Sequence, residues 1–307
     1  MIFPWPRTFL SRKDINFTNI FILLNMVLYL TFFLDSDSEK IKSELFNSFG
    51  VSLTTEYYQK HVLVNRDQKH YKDLLSTFDF SNPKHHYLIS SFAVRDQFFM
   101  NEIEKRKFDR DSIKWDFWIS LIDKYKAEVK EQVLFIMGLS HGNKRTFSWI
   151  TYQFSHMTFL HLVSNMIFVF LIGYWIEGAL GSLGFVLLYL FSGIAGGLFY
   201  LYFSPNTLLP MVGASGSVSG MIAFYCFFEP KLRTRFFYFL SPQKNYYGYI
   251  YLPTLLIVPM FLLTDLSSFL SQIPGLSSGV AFTAHIGGAL FGGLLGLSLR
   301  KSLALYS

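Results

Sequence analysis

Residues 211–224 read MVGASGSVSGMIAF, and residues 283–296 read TAHIGGALFGGLLG. Glycine, alanine and serine at this density weaken a helix in water. In lipid the same residues let two backbones approach closely, because packing rather than hydrophobicity drives helix association there. Gly288, Gly292 and Gly296 recur every fourth residue and so form a groove along one side of a helix. Gly216 and Gly220 offer a matching groove, and the two segments are expected to be neighbours in a membrane.

Working outward from this pair, a span needs about 20 mainly apolar residues. Six stretches come close, at 17–34, 157–176, 183–203, 211–228, 250–270 and 280–299. The 307 residues are 51% hydrophobic and only 16% charged, which exceeds what a soluble core requires and favours a membrane protein. The expected fold is all-α, a bundle of six transmembrane helices.

Charge is concentrated in one block. Residues 35–145 carry 18 of the 27 Lys and Arg and 17 of the 21 Asp and Glu. That block is an insertion between the first and second spans, and the stretch SIKWDFWISLIDKYKAEVKEQVLFIMG within it has the apolar spacing of an amphipathic helix, on the membrane surface or in a small domain. The expected organisation is therefore 1–34 for the N-terminus and first span, 35–145 for the insertion and first loop, 146–299 for spans two to six, and 300–307 for a tail. Being almost neutral, the insertion leaves the net charge of +6 to short segments between spans, a topology signal rather than a nucleic-acid surface.

Three such cationic groups stand out: Arg7, Arg12 and Lys13; Lys231, Arg233, Arg235 and Lys244; and Arg300 and Lys301. With six spans all three fall on one side, which the positive-inside tendency makes cytoplasmic. Both termini are then inside and the insertion outside. The apolar run after the basic N-terminus lacks a small-residue cleavage site and reads as an uncleaved first helix. The single Cys226 allows no intramolecular disulfide.

Polar groups inside spans are costly and mark the chemistry. FSHMTFLHLVSNM places His161 and Asn165 four residues apart, on one side of the second span. Ser215 opens the fourth span, close to helical N–H groups able to stabilise an oxyanion. Serine needs a base to accept its proton, and His285 in the sixth span suits that task. The set supplies a nucleophile (Ser215), a base (His285) and oxyanion donors (His161, Asn165 and the Ser215 N–H), which points to acyl transfer by a Ser-His dyad. Asp265 and Glu177 are not obvious third members.

Each residue alone has a duller reading. A glycine-rich helix carrying a serine is more often a packing device, and a single buried histidine is more often bonded to a neighbouring helix. Together, in the right spans and at the same depth, they are hard to obtain by packing. His156 reads as structural, bonding a loop at the outer rim. His85 and His86 read as solvated surface residues. Glu177 reads as a turn residue, and Cys226 with its aromatic neighbours as lipid-facing. The segment from 36 to 100 shows no metal-ligand spacing, and neither a metal nor a cofactor is expected.

HxxxN on the second span, GASG at the head of the fourth and AHIGG on the sixth resemble the rhomboid proteases. The resemblance covers 15–34 and 145–299. It implies a six-helix rhomboid bundle in which Ser215 is the nucleophile, His285 the base, and His161 and Asn165 serve the oxyanion hole. It also implies that Glu177 and the following GALGS form a structural turn, and that substrates enter laterally between spans two and five. Many bacterial rhomboids carry a Trp-Arg pair in the first loop, whereas here FSWITYQFSH has no Arg after Trp149. Long insertions like 35–145 occur in a subgroup of bacterial relatives.

The expected activity is hydrolysis of peptide bonds in or near the transmembrane segments of single-span or other membrane proteins. The expected setting is a lipid bilayer, the bacterial inner membrane, with no nucleic-acid partner. A catalytically silent rhomboid-like protein that binds membrane clients is the alternative. A transporter would show internal repeats or several intramembrane charges, and neither is apparent.

Overall fold

The computed structural model describes residues 2–5, 16–34, 43–67, 69–105, 113–143, 145–203, 210–239, 247–257 and 282–305. Helix α1 (Phe17–Leu28) opens the bundle and widens into a π-helical turn over Tyr29–Phe33. Its Phe21 ring packs edge-on against Phe185 and Tyr189, with centroids 5.3 and 5.1 Å away. Its first turn is held by a carboxylate. Glu177 accepts the Phe17 and Thr18 N–H groups at 2.8 and 3.0 Å, the Thr18 hydroxyl at 2.8 Å and the Ser182 hydroxyl at 2.7 Å. The turn role expected for Glu177 is what is observed.

Among the described residues the insertion follows as a short 3₁₀ turn (Glu44–Phe46) and six α-helices: α2 (Ser48–Val64), α3 (Lys69–Thr77), α4 (Pro83–Ala93), α5 (Gln97–Glu104), α6 (Ile113–Glu131) and α7 (Val133–Met137). The stretch read as amphipathic is α6 and α7. Its apolar stripe of Trp115, Trp118, Leu121, Ile122, Tyr125 and Val129 is buried against other helices of the insertion, not laid on a membrane. A buried carboxylate organises this core: Asp96 accepts the hydroxyls of Tyr58 and Tyr71 at 2.9 and 2.8 Å and caps α5 through the Phe98 and Phe99 N–H groups. Burial, and then the Asp96 charge, push both phenols well above the ordinary tyrosine range. His61 joins the network, 2.6 Å from Glu102 and 2.7 Å from the Tyr71 hydroxyl. His85 and His86 are half-buried rather than solvated, each bonded to the backbone of the turn at Asp79 and Phe80.

After a short α8 (Ser148–Thr151), α9 (Phe159–Phe203) runs for 45 residues. It is two helices joined at Gly181, whose φ of +74° lies in the left-handed region that favours glycine. These are the second and third expected spans. The fourth is α10 (Ser215–Phe228) and the sixth is α11 (Phe282–Leu305). Among the described residues α9 and the 282–301 stretch of α11 are long and apolar enough to cross a membrane, and Phe17–Phe33 and Ser215–Phe228 are shorter apolar helices. Six spans are therefore not all visible: from residue 258 the fifth, with Asp265, lies outside the described residues.

The start of that expected span is a correction. Residues 247–253 are a β-strand, part of a small antiparallel sheet ordered β1 (Ile2–Trp5), β2 (Arg233–Phe239) and β3 (Tyr247–Pro253), with Trp5 opposite Arg235 and Arg233 opposite Pro253. RTRFFYF and YGYIYLP are dense in aromatics, which favour strands, and a partner strand is at hand. Apolarity alone, on which the span was read, does not separate the two. Cys226 is also corrected. It is fully buried, not lipid-facing, and its thiol donates to the Thr254 carbonyl at 3.1 Å.

Helices α10 and α11 pack as their sequences predict. A β-carbon on Gly288 would collide with the Gly216 carbonyl, one on Gly292 with the Gly220 carbonyl, and one on Gly296 would lie 2.8 Å from the Phe224 carbonyl. These three contacts advance together by four residues on each helix, so the helices run in the same direction at backbone-to-backbone distance. The second half of α9 joins them where Gly196 meets the Ala284 carbonyl and the Gly216 Cα.

Candidate active site

That three-helix meeting point fixes the site. Ser215 immediately precedes Gly216, and His285 immediately follows Ala284, whose carbonyl lies 3.5 Å from the β-carbon position of Gly216. Ser215 is half-buried at the first position of α10, and His285 is buried. The first N–H groups of a helix lack intrahelical partners and concentrate positive potential. Ser215 thus sits where an anion is favoured.

The approach to Ser215 is tightly determined. Gly213 has φ of +126°, a left-handed conformation open to glycine, and its N–H donates to the Tyr152 carbonyl at 2.8 Å. A β-carbon there would stand 2.8 Å from both Cε1 and Nε2 of His161 and 3.8 Å from the Ser215 Oγ. The His161 ring therefore covers Gly213, and its Nε2 borders the same small space as the serine oxygen. The structure thus brings Ser215, His161 and His285 together.

Asn165 lies one turn below His161 and is buried. Its amide donates to the His161 carbonyl at 3.1 Å, which occupies one of its two N–H bonds. Thr158 holds the other end of this turn, its hydroxyl accepting the His161 N–H at 3.2 Å. His156 departs from expectation. Among the described residues neither ring nitrogen makes a hydrogen bond, although the Phe154 backbone lies close, and the ring packs against His161.

Two residues that sequence reasoning passed over brace the site from below. Tyr152 donates its hydroxyl to the Gly193 carbonyl at 2.5 Å while its own carbonyl holds Gly213. Gln153, wholly buried, accepts the Ser217 hydroxyl at 3.0 Å and donates to the Trp149 carbonyl at 2.9 Å. The signal was an uncharged polar pair, YQ, in an aromatic stretch bordering a span.

A profile of the rhomboid domain matches residues 143–302, from the end of the first loop through α11. The chain belongs to the rhomboid family. Among similar proteins, the rhomboid protease AarA of Providencia stuartii is 29% identical over 171 residues, 50% of this chain and 57% of that one. Rhomboid protein 1, mitochondrial, of Saccharomyces cerevisiae is 27% identical over 161 residues, 49% of this chain and 41% of the yeast protein. Rhomboid-like protein 11, chloroplastic, of Arabidopsis thaliana is 34% identical over 129 residues, 40% and 46% of the two chains. The match thus spans about half the length of these curated relatives. The rhomboid match begins at residue 143 and so covers neither α1 nor most of the 35–145 stretch.

Proposed function

We propose that this chain is an intramembrane serine endopeptidase, cutting peptide bonds in or near the transmembrane segments of membrane proteins. The observation that carries the reading is the His161 ring lying over Gly213 beside the Ser215 Oγ, at the head of a helix packed backbone to backbone against the one bearing His285.

Ser215 attacks the scissile carbonyl while the His285 imidazole takes its proton. Negative charge gathers on the carbonyl oxygen, where the Ser215 N–H, His161 and the second N–H of Asn165 receive it; one such donor is worth about 10²–10³ in rate. The intermediate collapses, His285 returns the proton to the leaving amine, and the acyl group stays on Ser215. Water, deprotonated by the same histidine, then releases it. A transmembrane helix hides its carbonyls in internal hydrogen bonds, so the cleaved segment must first unwind, and small or helix-weakening residues are favoured there.

In this reading residues 146–299 are the catalytic bundle, 35–145 an extracytoplasmic insertion, and both termini cytoplasmic. Labelling of the purified protein with a fluorophosphonate is the direct test: modification at Ser215, absent in His285→Ala, is the expected result. A catalytically silent client-binding relative would leave Ser215 unlabelled.

A further inference from the structure

His156 takes no part in the mechanism above, yet it is wholly buried, with neither ring nitrogen hydrogen-bonded among the described residues. A buried ring that makes no hydrogen bond of its own acts through the groups it packs against. The ring centroid lies 5.2 Å from that of His161 with the planes at 73°, so the edge of one ring meets the face of the other. The His161 backbone is fixed from both directions, its N–H by the Thr158 hydroxyl at 3.2 Å and its carbonyl by the Asn165 amide at 3.1 Å. What remains to be set is the rotation of the ring.

We propose that His156 is a positioning residue, bracing the His161 imidazole in the rotation that presents Nε2 to the space beside the Ser215 Oγ. The inference rests on the serine-protease reading above and assigns His156 an effect that passes through His161.

The test is a double-mutant cycle on the full chain in proteoliposomes. It measures kcat and KM on a fluorogenic single-span substrate, with fluorophosphonate labelling of Ser215 counting competent sites. His156→Ala lowers kcat roughly tenfold per labelled site, less than the full loss of an oxyanion donor, and leaves KM within about twofold. His156→Phe, which keeps a ring in place, recovers to within about threefold of wild type. In a His161→Ala background, adding His156→Ala changes nothing further.

Additive losses, a Phe variant as impaired as the Ala variant, or a fall in rate matched by a fall in labelled sites would each overturn the proposal. So would an Ala variant with wild-type kcat. A wild type that cuts and labels while His156→Ala behaves in one of these ways sinks the positioning role alone. A wild type that neither cuts nor labels at Ser215 sinks the protease reading and this inference with it.

Discussion

Leu139 and Met211 exchange both of their backbone hydrogen bonds, at 2.9 and 2.8 Å, and so stitch the end of the insertion to the segment that leads into Ser215. Asn143 secures the same junction, its amide directed at the carbonyls of Phe135, Ile136 and Gly138 within 3.0 Å. Phe135 belongs to the core of the insertion, so that core and the nucleophile's approach share one short backbone path. Leu139→Pro removes the N–H that Met211 accepts. A small displacement at a reacting centre is costly, and kcat should fall by about tenfold or more relative to Leu139→Ala. Cleavage assays on both variants, at matched thermal midpoints, check this.

Gly213→Ala places a methyl 2.8 Å from the His161 Nε2 in a backbone conformation unfavourable to alanine. Either the His161 ring or the 211–214 segment must move, so activity should drop by about 10² or more, the scale of a lost oxyanion donor. The helices far from the site keep their packing, and circular dichroism should be unchanged.

Glu177→Ala leaves the Phe17 and Thr18 N–H groups and two hydroxyls without their acceptor. The expected cost is about 3 kcal/mol of stability. Its first sign should be release of α1, read as faster proteolysis near residue 17 and a lower melting temperature in detergent.

How far the sequence carried depended on which interactions decided each part. The α10–α11 contact was legible because glycines spaced by four suit a close approach of two backbones, and that contact brings the segments carrying Ser215 and His285 to one place. The sheet was not, since YGYIYLP is apolar enough for the start of a span and its strand character depends on pairing with RTRFFYF. Cys226 looked lipid-facing because hydrophobicity in a span does not tell which side faces protein. Tyr152 and Gln153 bond residues distant in the chain, the Gly193 carbonyl and the Ser217 hydroxyl, a partnership no local pattern encodes.

Asp96→Ala tests whether the insertion has a core of its own. It strands the buried Tyr58 hydroxyl, leaves the Tyr71 hydroxyl with His61 but without its carboxylate, and uncaps α5, with an expected loss of about 3–5 kcal/mol. Hydrogen exchange should speed up across α2, α3 and α5 while α10 and α11 remain protected.

The most direct measurement is cleavage of a fluorogenic single-span substrate in proteoliposomes by the wild type, Ser215→Ala and His285→Ala. The account predicts that the wild type cuts and that both variants, folded to the same melting temperature, fall by about 10⁴ or more, to background. Equal behaviour of all three, whether cutting or silent, contradicts the Ser215–His285 dyad.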